Sequence, residues 1–300
     1  MKIDDNDWNV LMTRIKAGTC TPFLGAAVNY GILPLGGEIA RRWAADFDYP
    51  LDTRSDLAKV AQFLAIKYDP THPKELITNA LAQGQKPFDF NDDREPLNVL
   101  AKLPLPVYIT TNYDDLLRAA IEHHGQAANR RPVTELCKWN RSPSFHPVYF
   151  KKGSKFVASA QTPVVFHLHG HRSAVDSLVL TEDDYLDFLV NISSGSALLP
   201  HRIQRALTGS SLLFIGYSLS DWTFRVLYRG LVSATEKSLR RISVTVQLPQ
   251  LSEDDPEVGQ NIQNYMEQYF GNTDMKVSWC TAREFCAELR QRWDDFSSKC

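Results

Sequence analysis

Four short apolar runs mark the chain, and each stops at a small or polar cluster. Thr21–Leu24 runs into Gly25-Ala26-Ala27, and Val107–Thr110 runs into Thr111-Asn112-Tyr113-Asp114. Val164–Leu168 runs into His169-Gly170, and Leu212–Ile215 runs into Gly216-Tyr217-Ser218. Runs this short, rich in β-branched residues, predict strands buried on both faces. Two further runs, Ile242–Val246 and Lys276–Trp279, complete a sheet. Helical periodicity lies between them. Asp114–His124 carries Leu116, Leu117, Ala120 and Ile121 on one face, and Asp183–Leu189 follows a Thr181 cap with Asp184 three positions on. Asp221–Val232 follows Ser218 and Ser220, and Asn261–Phe270 and Arg283–Trp293 close the chain. Strands alternating with helices predict an α/β fold, a doubly wound, Rossmann-like parallel sheet.

Two stretches depart from that alternation. Residues 38–103 are helical in pattern, with Ile39, Trp43, Leu57, Val60, Ala61 and Leu64 as core, and read as a helical insertion between the first two strands. Residues 123–162 are rich in Arg, Pro and Ser, and read as a loop-rich insertion covering the sheet's edge or forming a lid. Residues 1–300 are thus expected to form one domain carrying both insertions. With no repeat and no low-complexity tract, that length supports one large core.

Composition changes this picture only by exclusion. The 33 basic and 35 acidic residues give a net charge of −2, which points to no nucleic-acid surface and no polybasic membrane contact. Five cysteines, none in a C-x-x-C pair, argue against a disulfide framework and against a four-cysteine zinc site. An acidic start without an apolar signal core, and apolar runs too short for a bilayer, lead us to expect a cytoplasmic protein without a membrane span.

In an open parallel sheet, ligands bind beyond the carboxyl ends of the strands, where all four clusters fall. The turn holding Gly25, Ala26, Ala27 and Asn29 lets backbone N–H groups approach a diphosphate; it equally fits a tight connection without a ligand. Thr110–Asp114 gathers two hydroxyls, an amide and a carboxylate, although Asn112 or Asp114 also fits a helix cap. His167 and His169 share one face of a strand, a spacing open to metal chelation but without a carboxylate or cysteine nearby at ligand spacing. His167 also fits a core histidine, and His171 an exposed one. His169, just before Gly170, stands where a general base or a ribose contact would sit. Ser218 or Ser220 fits a helix cap, and the same geometry offers hydroxyl and N–H groups to a phosphate or ribose.

Taken in order, Gly25-Ala26-Ala27, Leu33-Pro34-Leu35, Thr110-Thr111-Asn112-Tyr113-Asp114, His169-Gly170 and Gly216-Tyr217-Ser218-Leu219 resemble the sirtuin family. The likeness runs from about Cys20 to Leu231, and is greater to the bacterial sirtuin-like NAD hydrolases of antiphage defence. The resemblance implies that Asn112 positions the nicotinamide ribose and the attacking water, and that His169 is the base or orients the ribose. It implies that Asp114 lines the nicotinamide pocket, that Gly25 and Ala26 face the diphosphate, and that Gly216 and Ser218 hold the adenosine side. Thr111, Ala27 and Asn29 complete the cofactor-binding set. Ala27 stands where the family has its third loop glycine, with a methyl that would crowd the diphosphate, and Asn29 stands near an expected serine. The cysteine quartet of the sirtuin deacylases is absent, so no zinc ribbon, no metal and no deacylation are expected.

The implied activity uses NAD as substrate and gives nicotinamide with ADP-ribose, linear or cyclic. An enzyme that depletes NAD needs regulation, so the resemblance further implies a homo-oligomer or a separate activating partner, such as an ATPase or a nucleic-acid-guided protein. The alternative is a non-catalytic module sensing NAD or ADP-ribose, which Ala27 favours and the pair Asn112 and His169 opposes.

Overall fold

The computed structural model of the chain describes residues 3–140, 142, 148–151, 153–193, 199–218, 225, 228, 241–249, 256–271 and 275–299. Seven parallel strands form one sheet: β1 (Cys20–Leu24), β2 (Val107–Thr110), β3 (Val133–Leu136), β4 (Val164–His167), β5 (Ser211–Ile215), β6 (Ser243–Gln247) and β7 (Met275–Trp279). Their order is β3-β4-β2-β1-β5-β6-β7. The chain therefore starts at the centre, passes to β2 and on to the edge strand β3, steps back to set β4 between them, then returns to β5 and winds outward on the other side. Strand order reverses between β1 and β5, and this is the topological switch point at which such sheets bind ligands. Those two strands pair along their whole length, from Cys20 opposite Ser211 to Leu24 opposite Ile215, so they end flush.

Both faces of the sheet are covered, which is why its strands read as continuous apolar runs. Side chains alternate between two cores. Leu24, Tyr108, Val165, Leu213 and Ile215 enter one, and Phe23, Ile109, Phe166, Leu212 and Phe214 enter the other. The first core is closed by α1 (Asp5–Lys16), α5 (Pro96–Lys102), α6 (Leu116–Gly125) and α10 (Ala282–Ser298). The second is closed by α7 (Glu182–Ser193), α8 (His201–Gly209) and α9 (Pro256–Gly271). Three more helices, α2 (Gly36–Asp46), α3 (Leu57–Lys67) and α4 (His72–Gly84), stand with α5 between β1 and β2, and their buried residues extend the first core.

The six expected strands are present within a residue or two of their expected bounds. The segment read as loop-rich also holds β3, which pairs with β4 at the sheet's edge. Thr181 and Asp184 form the expected cap of α7, with reciprocal N–H bonds of 3.0 and 3.1 Å. The helix expected at Asp221–Val232 lies outside the described residues apart from Arg225 and Tyr228. No helix among the described residues is long and apolar enough to cross a membrane.

Candidate functional site

The flush ends of β1 and β5 drive two loops into contact. Gly25 N–H donates to Ile215 O at 2.9 Å and Ala27 N–H to Gly216 O at 3.1 Å. Gly216 has φ +85°, and a Cβ there would lie 2.5 Å from Val28 N; a Cβ on Gly25 would lie 2.6 Å from Gly216 O. Glycine is therefore required at both positions by the loops' own packing, before any ligand is considered. Tyr217 closes the back of this crossing, donating to Leu24 O at 3.0 Å and standing 2.8 Å from Thr111 Oγ1. Thr111 thus helps to hold the crossing together.

On one side of the crossing lies a cavity of about 280 Å³. Ala26, Asn29, Thr111, Asn112, Asp114, His169, Gly216 and Ser218 all line it. These are eight of the ten residues singled out from the sequence. Gly25 lies beneath, its carbonyl accepting from Asn112 Nδ2 at 3.2 Å. Ala27 is exposed and faces the neighbouring lobe. The roof comes from the helices before β2, through Ile39, Leu57, Ile77 and Leu81.

Asn112 is fixed on three sides. Its amide reaches Gly25, its main-chain N–H donates to Thr110 Oγ1 at 3.0 Å, and its carbonyl stands 2.8 Å from His167 Nδ1. Asp114 is buried; Oδ2 accepts from Asn29 Nδ2 at 2.8 Å and Oδ1 from Leu116 N–H at 2.9 Å. It therefore bonds the first N–H of α6, just before the N-cap Asp115, and faces the cavity at once. Burial raises its carboxyl above the usual range. Asn29 Oδ1 is buried and makes no hydrogen bond among the described residues.

His169 is buried edge-on against Tyr185 and Phe188 of α7, at centroid distances of 5.3 and 5.0 Å. Its Nε2 also makes no hydrogen bond among the described residues. Burial pushes its pKa down to about 3, with no charged partner among the described residues, so the imidazole is neutral at pH 7. His167 turns the other way. Strand β4 ends at His167, so the alternation that would place both histidines on one face stops before His169. Among the described residues, no group of three His, Cys, Asp or Glu side chains is placed to hold a metal ion. His171, expected to be exposed, is buried: its Nε2 lies 3.0 Å from Asp115 Oδ1 and its Nδ1 2.7 Å from Ser173 Oγ. The His171 contact, joined by the charge of Arg172, outweighs partial burial and holds the Asp115 carboxyl down at about 2.

Across the crossing a second lobe of about 690 Å³ shares Ala26, Gly216, Tyr217 and Ser218 with the first. Its walls include Gln247 at the end of β6 and Leu248 after it, Cys280 and Thr281 after β7, and Glu95 with Arg283. None of these was singled out from the sequence. The strand-end rule that found the other four clusters applies equally to β6 and β7 and would have pointed to Gln247, Cys280 and Thr281.

A profile of the SIR2-like domain family matches residues 106–270, more than half of the chain. The chain belongs to the SIR2-like domain family. The matched stretch holds Asn112, Asp114, His169, Gly216 and Ser218, whereas the loop from Gly25 to Asn29 precedes it. The chain is also similar to proteins named NAD(+) hydrolase ThsA. It is 27% identical to that of Acinetobacter baumannii over 187 residues, 61% of this chain and 33% of the relative. It is 26% identical to that of Bacillus cereus over 150 residues, 50% of this chain and 27% of the relative. The match thus spans a third or less of these relatives' own length.

Proposed function

We propose that this chain binds NAD across the β1–β5 crossing and hydrolyses its nicotinamide–ribose bond. One observation carries the reading. A small lobe holding Asn112, Asp114 and a neutral His169 joins, over two obligatory glycines, a larger lobe of a size to take the ADP half. The names of the ThsA relatives support the same activity.

Nicotinamide in NAD is already a cationic leaving group, so its departure needs no acid. The ribose passes through an oxocarbenium-like state that must be oriented and met by water. Asn29 Oδ1, without a hydrogen bond among the described residues, is the acceptor for the nicotinamide amide. Asn112, clamped by Gly25, His167 and Thr110, holds the ribose and the water. His169, unprotonated at neutral pH, accepts a proton from that water or from a ribose hydroxyl, its low basicity offset by the acidity water gains on meeting the oxocarbenium. The bond from ribose C1′ to nicotinamide breaks, a C–O bond to water forms, and nicotinamide, ADP-ribose and one proton leave. Such a reaction suits a cytoplasmic, regulated effector of antiphage defence that depletes NAD. We assign its control to self-assembly or to a separate activating partner.

Nicotinamide release from NAD by the purified chain, followed by chromatography beside Asn112→Ala and His169→Ala, tests this. We expect release by the parent and a loss of about 10²-fold or more in each variant, the usual range for removing an acid–base or positioning group. Binding of NAD without release, with or without candidate partners, would instead support the sensing module.

A further inference from the structure

Among the polar groups that line the larger lobe alone, Glu95 carries a buried acceptor without a well-directed hydrogen bond among the described residues. Glu95 immediately precedes α5 and is 6% exposed. Its Oε2 accepts from Arg283 Nη1 at 3.0 Å, while its Oε1 is buried and makes no well-directed hydrogen bond among the described residues, the Leu97 N–H beside the carboxylate giving only a weak one. Helix α5 leads into β2 and α10 follows β7, so both helices begin at the carboxyl edge of the sheet, where the two lobes meet. Glu95 and Arg283 line the same lobe as Gln247, Cys280 and Thr281.

A buried acceptor left unsatisfied costs about 1–3 kcal/mol, so its natural complement is a ligand that donates a hydrogen bond. The local charge decides which donor. Arg283 is already committed to two carboxylates, Glu95 and, through Nη2 at 2.6 Å, Asp92. Exposed Arg94 offsets Asp92 outside the lobe, but at the lobe wall Glu95 shares its one guanidinium with Asp92, so its Oε1 edge is acidic and disfavours an anion. It accepts a neutral hydroxyl or amino donor and rejects a phosphate.

In the ADP half of a dinucleotide, the neutral donors are the ribose hydroxyls and the adenine amino group. A phosphate on the 2′ oxygen removes one donor and adds negative charge beside two carboxylates. We propose that Glu95 accepts a hydrogen bond from the adenosine ribose and makes this site select NAD over NADP. The assignment rests on the NAD reading above. An acidic residue on the ribose 2′-hydroxyl has the same effect in other dinucleotide folds; here it comes from the start of a helix between the first two strands.

The test is calorimetric titration of the whole chain with ADP-ribose and with 2′-phospho-ADP-ribose, neither of which carries nicotinamide to be cleaved. The parent should prefer ADP-ribose. Glu95→Gln removes the charge at constant shape and frees Arg283, so the preference should fall by roughly tenfold or more, the lower end for a bond to a charged group. Glu95→Asp keeps the Arg283 pair with a shorter reach and should lower the preference by about threefold, a fraction of that bond; it decides the matter if Glu95→Gln fails to fold. A preference unchanged in a folded variant overturns the assignment while leaving the NAD reading intact. So does an equal loss for both ligands, which would place Glu95 on the adenine. A parent that binds neither ligand refutes the NAD reading, and this inference with it.

Discussion

Two glycines with nearly the same backbone angle separate conformational strain from steric exclusion at the site. Gly216 and Gly31 have φ +85° and +88°. A Cβ at Gly31 would meet nothing within 4 Å, whereas one at Gly216 would stand 2.5 Å from Val28 N and 2.6 Å from Gly25 O. Gly31→Ala should therefore cost only the left-handed penalty, about 1–2 kcal/mol. Gly216→Ala must also push apart two main chains at the end of β1, and should cost about 3 kcal/mol or more while abolishing dinucleotide binding. Urea unfolding of both variants checks this. Equal losses would mean that the crossing is softer than its contacts indicate. The same geometry revises what Gly25 and Ala27 do. The sequence presents them as a phosphate cradle, yet the Ala27 N–H is bonded to Gly216 O and its side chain is exposed.

At the scale of elements, what the sequence disclosed follows from burial. Strands covered on both faces announce themselves as unbroken apolar runs, so β1, β2, β4 and β5 and the clusters at their ends were readable. Strand β3 was hidden because its third residue is Glu135, which looks exposed in sequence. In the fold it is 2% exposed and accepts N–H bonds from Val148, Tyr149 and Phe150 at 2.7–3.1 Å. Helix α1 buries Trp8, Leu11, Met12 and Ile15, an i, i+3, i+4, i+7 pattern present in the sequence but not used. Contacts between distant segments left no local trace, and the roof of the small cavity depends on one of them. Lys74 of α4 pairs with Asp184 of α7 at 2.8 Å and lies 5.5 Å from the Trp139 ring, while Gln62 of α3 reaches Asp183 at 2.7 Å. One turn after Lys74, Ile77 enters the cavity, and Leu81 follows a turn later. In Lys74→Met, Asp184 keeps its N–H partners Leu180 and Thr181, so the loss should stay near 1–3 kcal/mol, below that of an abandoned buried charge. Because the roof is loosened and no reacting group is removed, KM for NAD should rise more than kcat falls. A change confined to kcat would argue that α4 does not position the substrate.

At the scale of the whole molecule, the histidines at the end of β4 make stability depend on acidity. Burial lowers His167 to about 4 and His169 to about 3, against 6.5 for the exposed side chain. A folded pKa below the unfolded one means that the unfolded chain takes up protons the folded chain refuses. The stability these residues contribute is thus full above pH 6.5 and is lost as the pH falls from there toward 4 and then 3. Each fully titrating histidine removes about 1.4 kcal/mol per pH unit across that window. Asp115, held at about 2, adds to the loss only at lower pH, as its unfolded carboxyl protonates; Asp114, with its pKa raised, acts in the opposite sense. Unfolding free energies measured between pH 7.5 and 5 should therefore fall steeply below 6.5. His124, only partly buried and lowered to about 4, adds a smaller share to that fall, and Glu95, raised to about 6, opposes it; His169→Phe, which keeps the packing against Tyr185 and Phe188 but cannot be protonated, should make the slope clearly shallower. A slope unchanged in this variant would mean that His169 gains a proton without unfolding the chain. The imidazole assigned to nicotinamide cleavage would then be held by no burial penalty, and activity should fall as the pH drops through 6.5.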